Sequence, residues 1–177
     1  MRRLLLAVSM VVVTGFAVAQ DKKGTSIDLA GMKSTTPAEW KEETPSNNMR
    51  MAQFKLLKAE GDTDDAELAF FVFPGGSGTV KANLDRQLAK FVEEGRKDKV
   101  EKTKIGEIEA TYQDVNGMFK KKKFPMAPDF TPVEGYRQLY VVFEAKDGKQ
   151  YYMTLLGPKA TVEKHKKAFD EFLKNFK

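Results

Sequence analysis

The 177-residue sequence has no cysteine and a single histidine. Disulfides, thiolate metal centres and cysteine nucleophiles are therefore excluded, and so is any metal site built on several histidines. No nucleophile elbow of the form Gly-x-Ser-x-Gly is present; residues 75–78 (Gly75, Gly76, Ser77 and Gly78) miss it by one position. No catalytic set can be assembled around His165, because no orienting carboxylate or activated nucleophile can be assigned to it from the sequence. Long apolar runs are scarce. The longest low-polarity stretch, residues 4–19, is 16 residues long and is interrupted by Ser9, Thr14 and Gly15, short of the ~20 residues a bilayer span needs. With 30 basic and 25 acidic side chains the net charge is +5, well below that expected of a nucleic-acid-binding domain.

The chain does have aromatic residues in quantity. Thirteen Phe, five Tyr and one Trp, with 41% hydrophobic and 31% charged residues overall, suit a folded domain with a sizeable core. The length fits one domain. The first residues fit a secretory signal: Arg2 and Arg3 lead, residues 4–13 are apolar, and Ala17, Val18 and Ala19 offer a small-residue cleavage site. Cleavage after Ala19 would leave 158 residues and a charge of +3. The expected division is a signal peptide at 1–19, a flexible mature N-terminus at 20–26 and one α+β domain at 27–177. The expected location is periplasmic or secreted, with no membrane span left after cleavage.

Periodicity sets the order of elements. Residues 49–57 alternate, with Ala52, Phe54 and Leu56 on one face. Residues 67–73 are apolar on both faces, as in a central strand. The glycine-rich segment Gly75, Gly76, Ser77, Gly78 then gives way to Thr79, whose hydroxyl can cap a helix over 80–94 with an inward stripe of Val80, Leu84, Leu88, Phe91 and Val92. Strands are expected at 100–105 and 108–115, a turn at Asn116-Gly117, and a long basic, proline-rich loop over 120–132, with a short edge strand at its start as an option. Asp147-Gly148 marks a tight hairpin between strands at 136–145 and 149–156. A second helix over 159–175 buries Val162, Phe169, Phe172, Leu173 and Phe176. Short links imply antiparallel pairing, so the expected architecture is α+β: a mainly antiparallel sheet of about five to seven strands packed by helices.

Four groups of residues invite a chemical reading. Gly75, Gly76, Ser77, Gly78 and Thr79, with Arg86 nearby, place backbone N–H groups between a strand and a helix, where an anion or nucleotide-type ligand could sit. The spacing fits neither a Walker loop nor a dinucleotide fingerprint, and the same glycines also make a plain turn. Lys120, Lys121, Lys122 and Lys123, flanked by Phe119 and Phe124, could meet an anionic surface or partner, or stand as a solvated loop. Glu60, Asp62, Asp64, Asp65 and Glu67 are dense enough in oxygen ligands for a hard cation but lack the EF-hand pattern, so a solvated turn is the simpler expectation. Trp40, Phe71, Phe73, Tyr151 and Tyr152 make a binding patch if one sheet face is uncovered, and are core if helices cover both; core is the expectation.

The segment Pro37, Ala38, Glu39, Trp40, the antiparallel order with an intervening helix, Gly157-Pro158 and the Phe-rich C-terminal helix resemble the Mog1/PsbP-like superfamily. The chain also resembles exported proteins of planctomycete-type bacteria through Ser46, Met49-Arg50, Ala52-Gln53-Phe54, Gly61-Asp62, residues 65–68, the 75–78 loop and residues 168–173. The resemblance implies an α/β/α sandwich and a non-catalytic accessory or binding role in the cell envelope, toward a protein or small ligand. It carries over no catalytic, cofactor or metal-binding residue.

Overall fold

The computed structural model describes residues 23–177 apart from positions 74, 76 and 125. The expected signal peptide at 1–19, its cleavage site and residues 20–22 lie outside the described residues. The elements in chain order are β1 (Ser26–Leu29), β2 (Met32–Thr35), β3 (Lys41–Glu43), β4 (Arg50–Leu56), β5 (Ala66–Phe73), α1 (Val80–Leu88), β6 (Lys97–Ile105), β7 (Ile108–Lys121), β8 (Thr131–Glu144), β9 (Gln150–Pro158) and α2 (Lys159–Lys174). Seven strands form one antiparallel sheet in the order β3-β4-β5-β9-β8-β7-β6, and β1 pairs with β2 in a separate hairpin. The α+β architecture expected from the strand and helix order, a mainly antiparallel sheet packed by helices, is what the chain forms.

Period-two alternation gives the sheet two different faces. Phe54, Leu56, Leu68, Phe70, Tyr112, Leu139, Val141, Met153 and Leu155 point to one side, which α2 and the β1–β2 hairpin cover. The stripe read for the second helix is its buried face: Val162, Phe169, Phe172, Leu173 and Phe176 are all at most 2% exposed. Burial of each such side chain is worth about 1.5–3 kcal/mol, so this layer anchors the fold. Phe172 sits edge-on to both Trp40 (5.7 Å) and Phe70 (5.9 Å). His165 is buried in the same layer, and its Nε2 meets the Leu57 carbonyl at 2.9 Å, a structural bond to the end of β4. Arg137 on β8, paired with Asp114 on β7 and Glu163 on α2, closes the layer with a partly buried ion network.

The edge strand β6 is charged and exposed along nearly its whole length, with Ile105 buried at its end. Gly148, at φ 72°, supports the expected Asp147-Gly148 turn, where the Ala145 N–H donates to the Lys149 carbonyl at 3.0 Å.

Several sequence expectations are corrected. Thr25 exchanges hydrogen bonds with Thr36, and Ser26 already belongs to β1, so the last residues of the stretch expected to be flexible, Thr25 and Ser26, join a hairpin. Asn116-Gly117 is no turn: both residues lie inside β7, beside a bulge between Gly117 and Phe119. A Cβ on Gly117 would come within 3.3 Å of Arg96 Cα, so this glycine serves a close chain crossing. The expected 120–132 loop shrinks because β7 runs to Lys121 and β8 starts at Thr131, with Pro132 opposite Lys120 in the ladder. β9 takes the centre of the sheet, with β5 beside it.

The first helix is also shorter than its apolar spacing implies. α1 ends at Leu88, and Phe91 leaves the helix to pair with Phe119 and pack at 5.5 Å from its ring. Phe91 is fully buried there, in a small cluster with Val115 and Tyr136. The inward positions of α1 are Asn83 and Gln87, while Val80 is 38% exposed.

Candidate functional site

The two faces of the sheet are covered unequally. The sixteen-residue α2 spans one face, whereas the nine-residue α1 leaves part of the other open. The expectation that helices seal both faces is therefore corrected. A cleft of about 500 Å³ runs between α1 and the exposed ends of β4, β5 and β9. Tyr151 and Trp40 are core on the α2 side, but Phe71, Phe73, Tyr140 and Tyr152 line or flank this cleft.

The cleft floor is aromatic. Phe71 and Phe73 stand nearly parallel with centroids 6.5 Å apart, Phe73 meets Tyr152 edge-on at 5.5 Å, and Tyr140 stacks on Tyr152 at 6.2 Å. Such ring pairs hold one another in fixed orientations. Ala69, Thr154 and Leu156 complete the floor. Burial keeps the Tyr140 phenol protonated by pushing its pKa far up.

The wall is polar. α1 is capped by Thr79, whose hydroxyl accepts from the Ala82 N–H at 3.2 Å, the cap expected from sequence. Asn83 turns back to donate to the Thr79 carbonyl at 2.9 Å. The Ser77 N–H donates to the Tyr152 hydroxyl at 3.1 Å, and the Ser77 hydroxyl lies 2.9 Å from Asn83 Oδ1. Arg86 reaches over from α1 to the Ser77 carbonyl and donates to Asn83 Oδ1 at 2.7 Å. Gln87 approaches Gln138 of β8, whose amide donates to it at 3.2 Å. Of the loop residues singled out in the sequence, Ser77 and Arg86 reach the cleft. Gly75 and Gly78 adopt φ of 75° and 102° and shape the turn, Thr79 caps the helix, and Gly76 lies outside the described residues. The N–H and hydroxyl of Ser77 already have partners within the protein.

The rim is cationic. Arg50 packs 5.7 Å over the Phe71 ring and pairs with Glu67 at 2.8 Å. Lys90 is exposed as a residue, yet protein atoms crowd its ammonium at the cleft edge. That desolvation, reinforced by the charge of Arg50, pushes its pKa down to about 8. The basic run expected as a free loop is fastened to this rim: the Lys120 N–H donates to the Lys90 carbonyl at 2.8 Å, and Lys120 Nζ to the Ala89 carbonyl at 3.2 Å. Lys120, Lys121, Lys122 and Lys123 surround a second cleft of about 600 Å³. The structure thus joins the glycine-rich loop and the lysine run, read as separate candidates, through α1.

The acidic cluster is pulled apart. Asp62 accepts from the N–H of Thr161 at 2.8 Å, Asp64 from the Tyr136 hydroxyl at 2.8 Å, and Asp65 from the Lys58 N–H at 2.8 Å, while Glu67 turns to Arg50. The Tyr136 bond and the Lys121 charge hold the Asp64 carboxyl below its usual range. Among the described residues no group of three His, Cys, Asp or Glu side chains is placed to hold a metal ion. No described helix is long and apolar enough to cross a membrane.

Sequence reasoning missed Arg50, Lys90, Gln87 and Tyr140 as cleft residues. Asn83 and Gln87, four apart on α1 and each just ahead of a leucine (Leu84 and Leu88), were the available signal that this helix faces a polar space.

No protein-family model and no curated protein sequence matches the chain. Solved structures similar to the chain include the following two. The solution structure of cyanobacterial PsbP (CyanoP) from Synechocystis sp. PCC 6803 superposes with a TM-score of 0.51 at 12% identity, covering 93% of this chain and 98% of that one. A Pseudomonas aeruginosa protein, PA94, described as of unknown function and a candidate regulator, gives a TM-score of 0.49 at 16% identity over 85% of this chain and 94% of its own. The fold is PsbP/Mog1-like.

Proposed function

We propose that the protein is an exported, non-catalytic accessory domain of the cell envelope that works by binding a small organic ligand in the cleft between α1 and the sheet. The observation that carries this reading is the aromatic floor left open by a short helix: a concave space of about 500 Å³, largely apolar, with a few convergent polar groups, as ligand sites generally are. The rings are braced against one another and the wall is tied to them through Ser77, so the cleft is held open before any ligand arrives. The groups that catalysis would need have structural partners instead. His165 is fixed to Leu57, and the Ser77 hydroxyl lies beside Tyr152 and Asn83, with no imidazole against it. The PsbP/Mog1-like fold and the leader-like residues 1–19 support an accessory role after export.

The test is a titration with N-phenyl-1-naphthylamine, a neutral aromatic dye that brightens in apolar surroundings, followed by NMR. The expected result is saturable one-to-one binding with shifts confined to β5, β9 and α1. Absence of binding, or shifts centred on α2, would overturn the cleft as the site. Export is checked separately by fractionation, with a mature N-terminus at Gln20 expected and full-length cytosolic protein counting against it.

A further inference from the structure

The aromatic cleft does not end at α1. It shares Arg50, Arg86, Lys90 and Leu156 with the second cleft, so one surface passes from rings to cations without a break. The second cleft is lined by seven Lys and Arg side chains and by no carboxylate among the described residues. Two of the seven have nearby acidic partners, Arg50 with Glu67 and Lys121 with Asp64. Arg86, Lys90, Lys120, Lys122 and Lys123 have no carboxylate within ion-pair distance among the described residues.

The fold holds these charges together against their mutual repulsion. The Lys120–Lys90 backbone bond fixes the end of β7 to the chain leaving α1, and Lys120 also lies 5.6 Å over the Phe130 ring. Like charges clustered in a concave site raise the local potential for an anion. The pKa of Lys90 is depressed first by desolvation and then by the charge of Arg50, and a bound negative charge would raise it again. Phe119, Phe124 and Leu156 lie among the cations, so even the charged end keeps apolar surface.

Building on the proposed cleft function, we infer that the ligand is an amphiphilic organic anion: an apolar or aromatic body lies on Phe71, Phe73 and Tyr152, and a phosphate or carboxylate head sits among Lys90, Lys120, Lys122 and Lys123. Neither end suffices alone. The lysines are exposed and individually weak, while the aromatic floor by itself has no preference between a neutral and a charged body. Such a head could belong to a dispersed molecule or to a lipid in a bilayer, and the test separates the two.

Calorimetry with octyl phosphate, 1-octanol and inorganic phosphate, all below micellar concentrations, gives the reading. Octyl phosphate is expected to bind about tenfold or more tighter than 1-octanol, and inorganic phosphate alone not measurably, since a charge-assisted contact contributes roughly a factor of ten. The double substitution K122Q/K123Q should reduce the preference for octyl phosphate over 1-octanol by about threefold to tenfold, with NMR shifts at Phe71 and Tyr152 retained. Equal binding of octyl phosphate and 1-octanol would overturn the anion assignment while leaving the cleft reading in place. Failure of both, together with failure of the naphthylamine dye, would remove the cleft reading as well. Binding to phosphatidylglycerol vesicles without binding of dispersed octyl phosphate would overturn seating in the cleft and assign the lysines to surface attachment.

Discussion

The hydroxyl of Ser77 lies 2.8 Å from that of Tyr152, which ties the glycine-rich loop ahead of α1 to the aromatic floor beneath it. The same tyrosine accepts from the Ser77 N–H and donates to Gln150 at 2.5 Å. Tyr152→Phe keeps the ring and removes these bonds. The expected outcome is a loss of about 1 kcal/mol in chemical denaturation and faster amide exchange at Ser77, with the ring packing intact. Unchanged exchange at Ser77 would show that the loop is held by Arg86 and Asn83 alone.

Lys90 gives the cleft a pH dependence. Its pKa of about 8 lies below the ordinary lysine value, so the ammonium loses its proton within a range where a phosphate monoester is already a dianion. Octyl phosphate affinity should therefore be full near pH 7, where the monoester is a dianion and Lys90 is charged, and decline as the pH rises through 8 to 9.5. Arg50 on β4, Glu67 on β5, Arg86 on α1 and Lys120 at the end of β7 face the same space, and Lys90→Arg isolates Lys90 from them. An arginine stays charged throughout, so the profile should flatten. A wild-type profile flat from pH 7 to 9.5 would contradict the assignment.

Gln113 on β7 is fully buried and neither of its amide atoms has a protein partner among the described residues. An unpaired buried amide costs about 1–3 kcal/mol. Gln113→Met, similar in volume and free of that cost, should raise the melting temperature. A fall would mean that the amide is satisfied in solution.

Arg137 is paired bidentately with Asp114 and also with Glu163, bringing β7, β8 and α2 together. Asp114→Ala leaves the buried guanidinium half paired and should cost on the order of 3 kcal/mol by denaturant titration. Glu163→Ala, at a side chain 66% exposed, should cost under about 1 kcal/mol. Equal effects would show that burial is not what distinguishes the two pairs.

Gly157 lies in β9, where a Cβ would stand 2.8 Å from the Ala66 Cα and 2.7 Å from its Cβ. Gly157→Ala should destabilise the protein by about 1–3 kcal/mol, because the β5 backbone must move to admit a methyl group. Pairing Gly157→Ala with Ala66→Gly should recover part of the loss.

The layers were legible wherever one periodicity governed a segment. α2 could be read because every third or fourth residue is bulky and apolar, and the 145–149 turn because Asp-Gly meets its backbone demand. α1 misled because Phe91 and Val92 continue a helical spacing that Phe119 interrupts: a contact 28 positions away outweighs the local pattern. Asn116-Gly117 misled because its glycine answers to Arg96 across the sheet, a relation that no local window contains. The loop and the lysine run were both visible as compositions. Their meeting depended on the Lys120–Lys90 bond, a tertiary event. Arg50 and Lys90 had no sequence signature, since an isolated basic residue beside a strand or after a helix reads as ordinary surface.

The outermost strand of the sheet, β6, ends the hydrogen-bonded ladder with a row of lysines and acids turned to water. An unpaired strand invites the border of a neighbouring molecule to zip onto it, and charge along that border makes such a union unfavourable. The protein can thus keep a seven-stranded sheet with a free margin and still resist growing into fibres.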